Sequence, residues 1–260
     1  MQSGHPVQEE MISAEFSSAV KKNNMKKTCI LSLFIFLGIC VSLGAQDLRK
    51  NPYKLNITAT PDAYIQLVGN DSTKRLLDLQ QAIPGIMLDI RYATSNNFTH
   101  KKVYTSARAF ARLKVARALF QVERELAKTG LGLKVYDAYR PYAATLLFWD
   151  IIHDTAYVAS PAGGSRHNRG CAVDVSLIDL KTGRDLQMPT PFDDFTVKAG
   201  ASYTPVPEEA ARNRKLLIDI MGKYGFSVYP SEWWHFDFKG WKEYELMDLS
   251  FEELDAIKIK

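Results

Sequence analysis

Two short stretches of this chain carry the residue types that do chemistry on water. In Ser165-Arg166-His167-Asn168-Arg169-Gly170-Cys171-Ala172-Val173-Asp174, a His and an Asp stand seven residues apart, either side of a glycine. Further on, Glu232-Trp233-Trp234-His235 adds a second His and a carboxylate. His167, Asp174 and His235 can hold one zinc ion per chain and leave a fourth position for water. Glu232 can then stand beside that water without being a ligand, take its proton and pass it to a leaving amine. Arg140, at the end of Asp137-Ala138-Tyr139-Arg140-Pro141, is placed to stabilise charge on a scissile carbonyl oxygen. Each residue also has a plainer reading. His235 among tryptophans suits a packed, hydrogen-bonded ring, Asp174 can cap a turn, and Arg140 can pair with Asp137. Cys171 falls on the Val173 side by parity and reads as a small buried residue. His100 and His153 read as surface or core residues.

These side chains need rigid elements behind them. Ala172–Leu177 alternates as a strand, with Val173, Val175 and Leu177 on one face and Asp174 on the other. In Glu232–Phe238, His235 and Asp237 share a face opposite Trp234, Phe236 and Phe238. Leu131–Tyr139 alternates as a strand that delivers Arg140. Ser106 is positioned to cap a helix over 107–128 that ends at Gly130, and Pro141 opens a second helix over 142–153. Pro207-Glu208-Glu209 starts a third, with acids in its first turn. Residues 56–60 read as a strand closed by a turn at Pro61-Asp62, and 81–91 as a strand. Residues 188–201 are polar and irregular. One α+β domain, a mainly antiparallel sheet flanked by helices, accounts for this pattern.

Bulk composition narrows the classes. A net charge of +4 without basic runs argues against nucleic-acid binding. Cysteines occur only at 29, 40 and 171. The first two lie in an apolar stretch, so a disulfide-stapled fold is excluded. Met25-Lys26-Lys27, the apolar run 29–43 and Gly44-Ala45-Gln46 describe a signal peptide over 25–45. Residues 1–24 carry no reading, and Met25 is a candidate start. Residues 46–80 form an N-terminal extension to a catalytic domain over 81–260. The expectation is an exported, periplasmic protein without stable membrane insertion after cleavage. Asn97-Phe98-Thr99 is a sequon of the kind that arises by chance.

With these residues in place, the chain resembles the D-alanyl-D-alanine dipeptidases of the VanX type. These are zinc D,D-peptidases that share a fold with the Hedgehog signalling domain. The resemblance rests on Ser165-x-His167-x-x-Gly170-x-Ala172-x-Asp174, Glu232-Trp233-Trp234-His235, Asp137–Pro141 and Ile86–Thr94, and runs to Phe238. It implies His167, Asp174 and His235 as zinc ligands, Glu232 as acid/base and Arg140 as transition-state stabiliser. It further implies Ser165 at the substrate carboxylate and Tyr92 and Asp193 near the substrate ammonium. The expected partner is the dipeptide D-Ala-D-Ala, in peptidoglycan turnover. Two alternatives are a D,D- or L,D-carboxypeptidase acting on longer wall peptides, and a non-catalytic zinc module.

Overall fold

The computed structural model describes residues 13–21 and 50–258. A helix at 13–21 (α1) precedes strand β1 (Ile57–Thr58) and helix α2 (Pro61–Asn70). β2 (Leu76–Asp78), α3 (Leu79–Ala82) and β3 (Met87–Leu88) follow. β4 (Phe110–Arg112) runs straight into α4 (Leu113–Ala127), then β5 (Leu131–Asp137), α5 (Tyr142–Ile151) and β6 (Ala172–Asp179). The chain closes with α6 (Glu208–Lys223), β7 (Phe226–Tyr229), β8 (Glu232–Phe238), β9 (Leu246–Met247) and α7 (Phe251–Ala256).

The central sheet has the order β3-β5-β6-β8-β7, antiparallel throughout except for β3 beside β5. That is the expected α+β arrangement. Its register does chemical work. Asp137 on β5 lies opposite Asp174 on β6, and Asp174 lies opposite His235 on β8. Directly opposed residues on antiparallel strands hold their Cβ atoms about 5 Å apart, so pairing alone draws these polar side chains into one row. β6 is buried on both faces, so its polar side chains need partners within the protein.

The turn that carries His167 is fixed from below. Gly170 has φ = 67°, a left-handed conformation that favours glycine, and a Cβ there would also push on Leu76 Cδ2 at 2.7 Å. Arg112 is fully buried beneath it. Its backbone N–H donates to the Gly170 carbonyl at 3.0 Å and its Nε to the Arg169 carbonyl at 2.8 Å. The guanidinium also reaches the carbonyls of Lys74 and Glu245. A short 3-10 turn over His167–Arg169 thus joins a rigid base to β6.

α4 buries Val115, Ala116, Leu119, Phe120, Val122 and Leu126, as its apolar stripe requires. Glu123 lies in the same buried stripe and accepts the Leu133 N–H at 2.7 Å, satisfying the start of β5. Burial pushes its carboxyl up to about 7, against the Leu133 hydrogen bond. α1 docks on α4: Phe16 meets Phe120 edge-on at 5.4 Å, and Glu15 pairs with Arg124 at 2.6 Å. This helix falls within the 1–24 leader, where the sequence offered no reading. The stretch 25–45 lies outside the described residues. Among those described, no helix is long and apolar enough to cross a membrane.

Several local expectations are corrected. Pro61-Asp62 opens a ten-residue helix instead of a turn; Pro61 sits in its first turn and Thr60 Oγ1 accepts the Ala63 N–H. Residues 81–91 are mostly turn around the two-residue β3, because Ile83, Ile86 and Ile90 bury themselves without strand pairing. The helix expected from 107 starts at Leu113, since Phe110–Arg112 pairs with β2; Ser106 caps nothing. The sequon Asn97 is buried, and its amide donates to the carbonyls of Arg91, Thr94 and Lys101.

Candidate metal centre and active site

His167 Nε2, His235 Nδ1 and Asp174 Oδ1 form a triangle with sides of 3.1, 3.4 and 3.0 Å. What they can share follows from the far side of each ring. His167 Nδ1 lies 2.7 Å from the Ala138 carbonyl oxygen, which only accepts, so the proton of that ring is spent there. His235 Nε2 lies 3.0 Å from Asp237 Oδ1, a carboxylate that likewise accepts. Two nitrogen lone pairs and a carboxylate oxygen therefore face one another, all but shut off from solvent. Asp174 Oδ1 is buried without a satisfying hydrogen bond.

Such a cluster demands a cation. The pKa directions show the same pull for positive charge, met by a proton on His235 when no metal is bound. Burial disfavours charge on both groups. Yet His167 and His235 hold Asp174 below the ordinary carboxylate range, and Asp174 and Asp237 hold His235 up to about 10. Ligand atoms ~2.0–2.1 Å from a tetrahedral zinc stand roughly 3.3 Å apart, close to the observed sides. The donor set, two imidazoles and a carboxylate with each imidazole's outer nitrogen oriented by an acceptor, fits a metal of this type.

Glu232 opens β8 beside the trio, with Oε2 3.7 Å from His235 Nδ1, beyond hydrogen-bond reach. Burial, then the Asp174 charge, push its carboxyl up to about 8, while His235 and Arg140 pull it down. Arg140 makes the Asp137 pair that the sequence allowed. Its Nε and Nη2 donate to Asp137 Oδ2 at 2.9 and 2.8 Å, and it also faces the cavity, with Nη2 3.9 Å from Asp174 Oδ2. Tyr104 Oη donates to the other Asp137 oxygen at 2.9 Å. The guanidinium lies over the Phe148 ring at 4.8 Å.

Asp193 comes from the irregular 188–201 segment. Tyr92 Oη lies 3.1 Å from both of its carboxylate oxygens. Its backbone sits at φ = 60°, a conformation that costs a non-glycine residue of the order of 1 kcal/mol and that Asp tolerates better than most. Burial first, then the Asp174 charge, raise its carboxyl well above the usual range; a cationic group placed beside it would relieve both. Aromatic rings hold the segment. Phe192 stacks on Tyr136 at 4.6 Å and meets Trp234 edge-on at 5.4 Å, Phe195 packs on Phe98 and Tyr157, and Trp233 Nε1 donates to Thr190.

Seven of the eight expected site residues line one cavity of about 70 Å³: Tyr92, Arg140, His167, Asp174, Asp193, Glu232 and His235. Ser165 is not among the lining residues. It is buried one turn below, its Oγ accepting the His167 N–H at 3.2 Å. Sequence reasoning gave no supporting role to Asp237, Asn168 or the aromatic wall. Asn168 donates to the Arg140 carbonyl and to Thr145, tying the two loops together. Asp237 was findable, since it shares a strand face with His235; the wall, built from distant segments, was not. Cys171 is buried, free and pushed up to about 12, so it is no nucleophile. His100 and His153 are exposed.

Residues 72–252 match the profile of the Peptidase M15 family, described as D-ala-D-ala dipeptidase. The chain is similar to the D-alanyl-D-alanine dipeptidase of Escherichia coli (strain K12), 37% identical over 175 residues, covering 67% of this chain and 90% of that protein. It is 31% identical over 181 residues to the D-alanyl-D-alanine dipeptidase of Enterococcus faecium, covering 61% of this chain and 88% of that one. Among solved structures, the LdcB LD-carboxypeptidase aligns at 24% identity over 58% of this chain and 70% of that chain, with a TM-score of 0.35.

Proposed function

This chain belongs to the Peptidase M15 family of D-Ala-D-Ala dipeptidases, and we propose that it is a zinc enzyme hydrolysing free D-Ala-D-Ala to D-alanine in peptidoglycan turnover. The observation that carries the reading is the meeting of three acceptor atoms, His167 Nε2, Asp174 Oδ1 and His235 Nδ1, with an uncommitted carboxylate, Glu232, beside them. A purely structural site has no use for that carboxylate. Export through the 25–45 segment belongs to the same reading, because wall peptides are the source of such a dipeptide outside the cytoplasm.

When bound by His167, Asp174 and His235, zinc supplies a water acidified towards pKa ~7 and polarises the substrate carbonyl. Glu232 accepts a proton from the attacking water as its oxygen bonds to the carbonyl carbon. It then donates that proton to the amide nitrogen as the C–N bond breaks, so each turnover consumes one water and leaves two amino acids. Arg140, held by Asp137 and unable to swing away, offers its guanidinium to the oxygen that gains charge. Asp193 and Tyr92 receive the substrate ammonium. Asp193 rewards a free amine and disfavours a blocked one, which favours dipeptidase over carboxypeptidase action.

Replacing Glu232 with Ala tests the assignment. The variant should bind one zinc per chain as the wild type does, and its kcat should fall at least about 100-fold. Undiminished turnover would remove Glu232 from the mechanism.

A further inference from the structure

The cavity is built with one end for a cation and a middle for a metal. A dipeptide also brings a carboxylate, which must enter a space lined by Asp174, Asp193 and Glu232. Among the described residues, two guanidiniums line that space, those of Arg140 and Arg166. Arg140 is buried and spends two donors on Asp137. Arg166 is placed differently. It immediately precedes His167, its side chain is 36% exposed, and among the described residues its one ionic partner is Asp237, at 3.2 Å through Nη1. Its guanidinium lies over the Trp241 ring at 4.9 Å and the Tyr229 ring at 5.7 Å. Asp237 has its other oxygen on His235. Arg166 is thus anchored from the His235 side, whereas Asp193 is held by Tyr92 from the Arg140 side, and the two share no partner.

We propose that Arg166 receives the free C-terminal carboxylate of the substrate, making it the residue that commits this site to cutting at a chain end. The proposal rests on the peptidase reading above and adds a contact that reading lacks, since Ser165 does not line the cavity. A planar guanidinium presents paired N–H donors that match a carboxylate and do not match a neutral amide. Its half-open position lets the carboxylate reach it without a large desolvation cost.

The test compares substrates with and without that charge. D-Ala-D-Ala and D-alanyl-D-alaninamide, together with the N-acetylated form of each, are assayed with zinc-loaded wild type, Arg166→Gln and Arg166→Lys, after checking that zinc content and Tm match. For the free-carboxylate substrates, Arg166→Gln should raise KM about tenfold or more, with kcat changed far less. The amides should be equally poor with both proteins, and Arg166→Lys should recover part of the loss. An equal fall on carboxylate and amide substrates would mean that Arg166 acts only through Asp237 and His235, and would overturn the proposal, as would no change at all. The dipeptidase reading stands or falls separately, on the wild-type preference between free and acetylated amines. Arg166 discrimination is read on whichever pair is cleaved, and cleavage of neither overturns both.

Discussion

Both ring nitrogens of His235 are committed, Nδ1 to the shared acceptor triangle and Nε2 to Asp237 at 3.0 Å. Asp237 therefore sets which nitrogen bears the hydrogen and how the ring is aimed, though it touches no metal position itself. Losing such an oriented partner typically costs 10- to 100-fold in metal affinity. Asp237→Ala should weaken zinc by about that factor in a chelator competition while leaving the fold intact by circular dichroism; unaltered zinc affinity would deny Asp237 this role. The ligand types and Glu232 were legible in the sequence because a coordination chemistry needs particular atoms. The His167 tautomer was not, because it depends on the Ala138 carbonyl, brought up just after β5. Arg140 was legible in two competing ways; the geometry shows the Asp137 pair and leaves the guanidinium facing the cavity, 3.9 Å from Asp174. Ser165 shows the converse: its place in the motif is local and fixes the His167 turn, and motif position alone does not reveal which way a hydroxyl faces.

At the scale of elements, strand pairing turns separated residues into a site. Once β5, β6 and β8 are in register, Asp137, Asp174 and His235 fall in line. The long strands and α4 and α6 were legible because each buries a periodic apolar face; α5 was legible from Pro141, but it buries Tyr142, Ala144, Thr145 and Phe148 and leaves Leu147 and Ile151 exposed. Short elements were not. Two-residue strands carry no period, and α2 hid behind a proline that reads equally as turn or helix start. Glu123 on α4 carries an element-scale prediction. Its folded-state pKa of about 7 lies above the ordinary 4.5, so the folded protein binds the extra proton and the Glu123 contribution to stability is fully present below pH 4.5. It falls as pH rises from 4.5 to 7, by up to about 3 kcal/mol. Glu123→Gln, which keeps an acceptor for the Leu133 N–H, should abolish that slope. Urea unfolding at pH 4.5 and pH 8 checks this: the variant should gain on the wild type only at the higher pH, and parallel profiles would contradict the burial argument.

Across the whole molecule, the metal position links β6, the turn before it and β8, so occupancy and folding are coupled. A ligand that binds only the folded state at a thousandfold excess over its Kd adds about 4 kcal/mol, roughly 10 °C in Tm for a domain of this size. Chelator should lower Tm by that order and zinc should restore it; a Tm insensitive to chelator would place the metal elsewhere or nowhere. The overall architecture was legible as α+β from alternating strands and helical stripes, while the loop that brings Asp193 in needed the tertiary packing of Phe192 and Phe195 to be seen. The central claim is that this architecture closes a metal-dependent site round a dipeptide with a free amine. The most direct measurement is the rate of D-alanine release by the zinc-loaded protein from D-Ala-D-Ala and from N-acetyl-D-Ala-D-Ala, with and without chelator. The account predicts rapid release of two D-alanines from the free dipeptide, loss of that activity with chelator, and a rate on the acetylated substrate lower by at least about 100-fold. Comparable rates on both substrates, or activity indifferent to chelator, would contradict it.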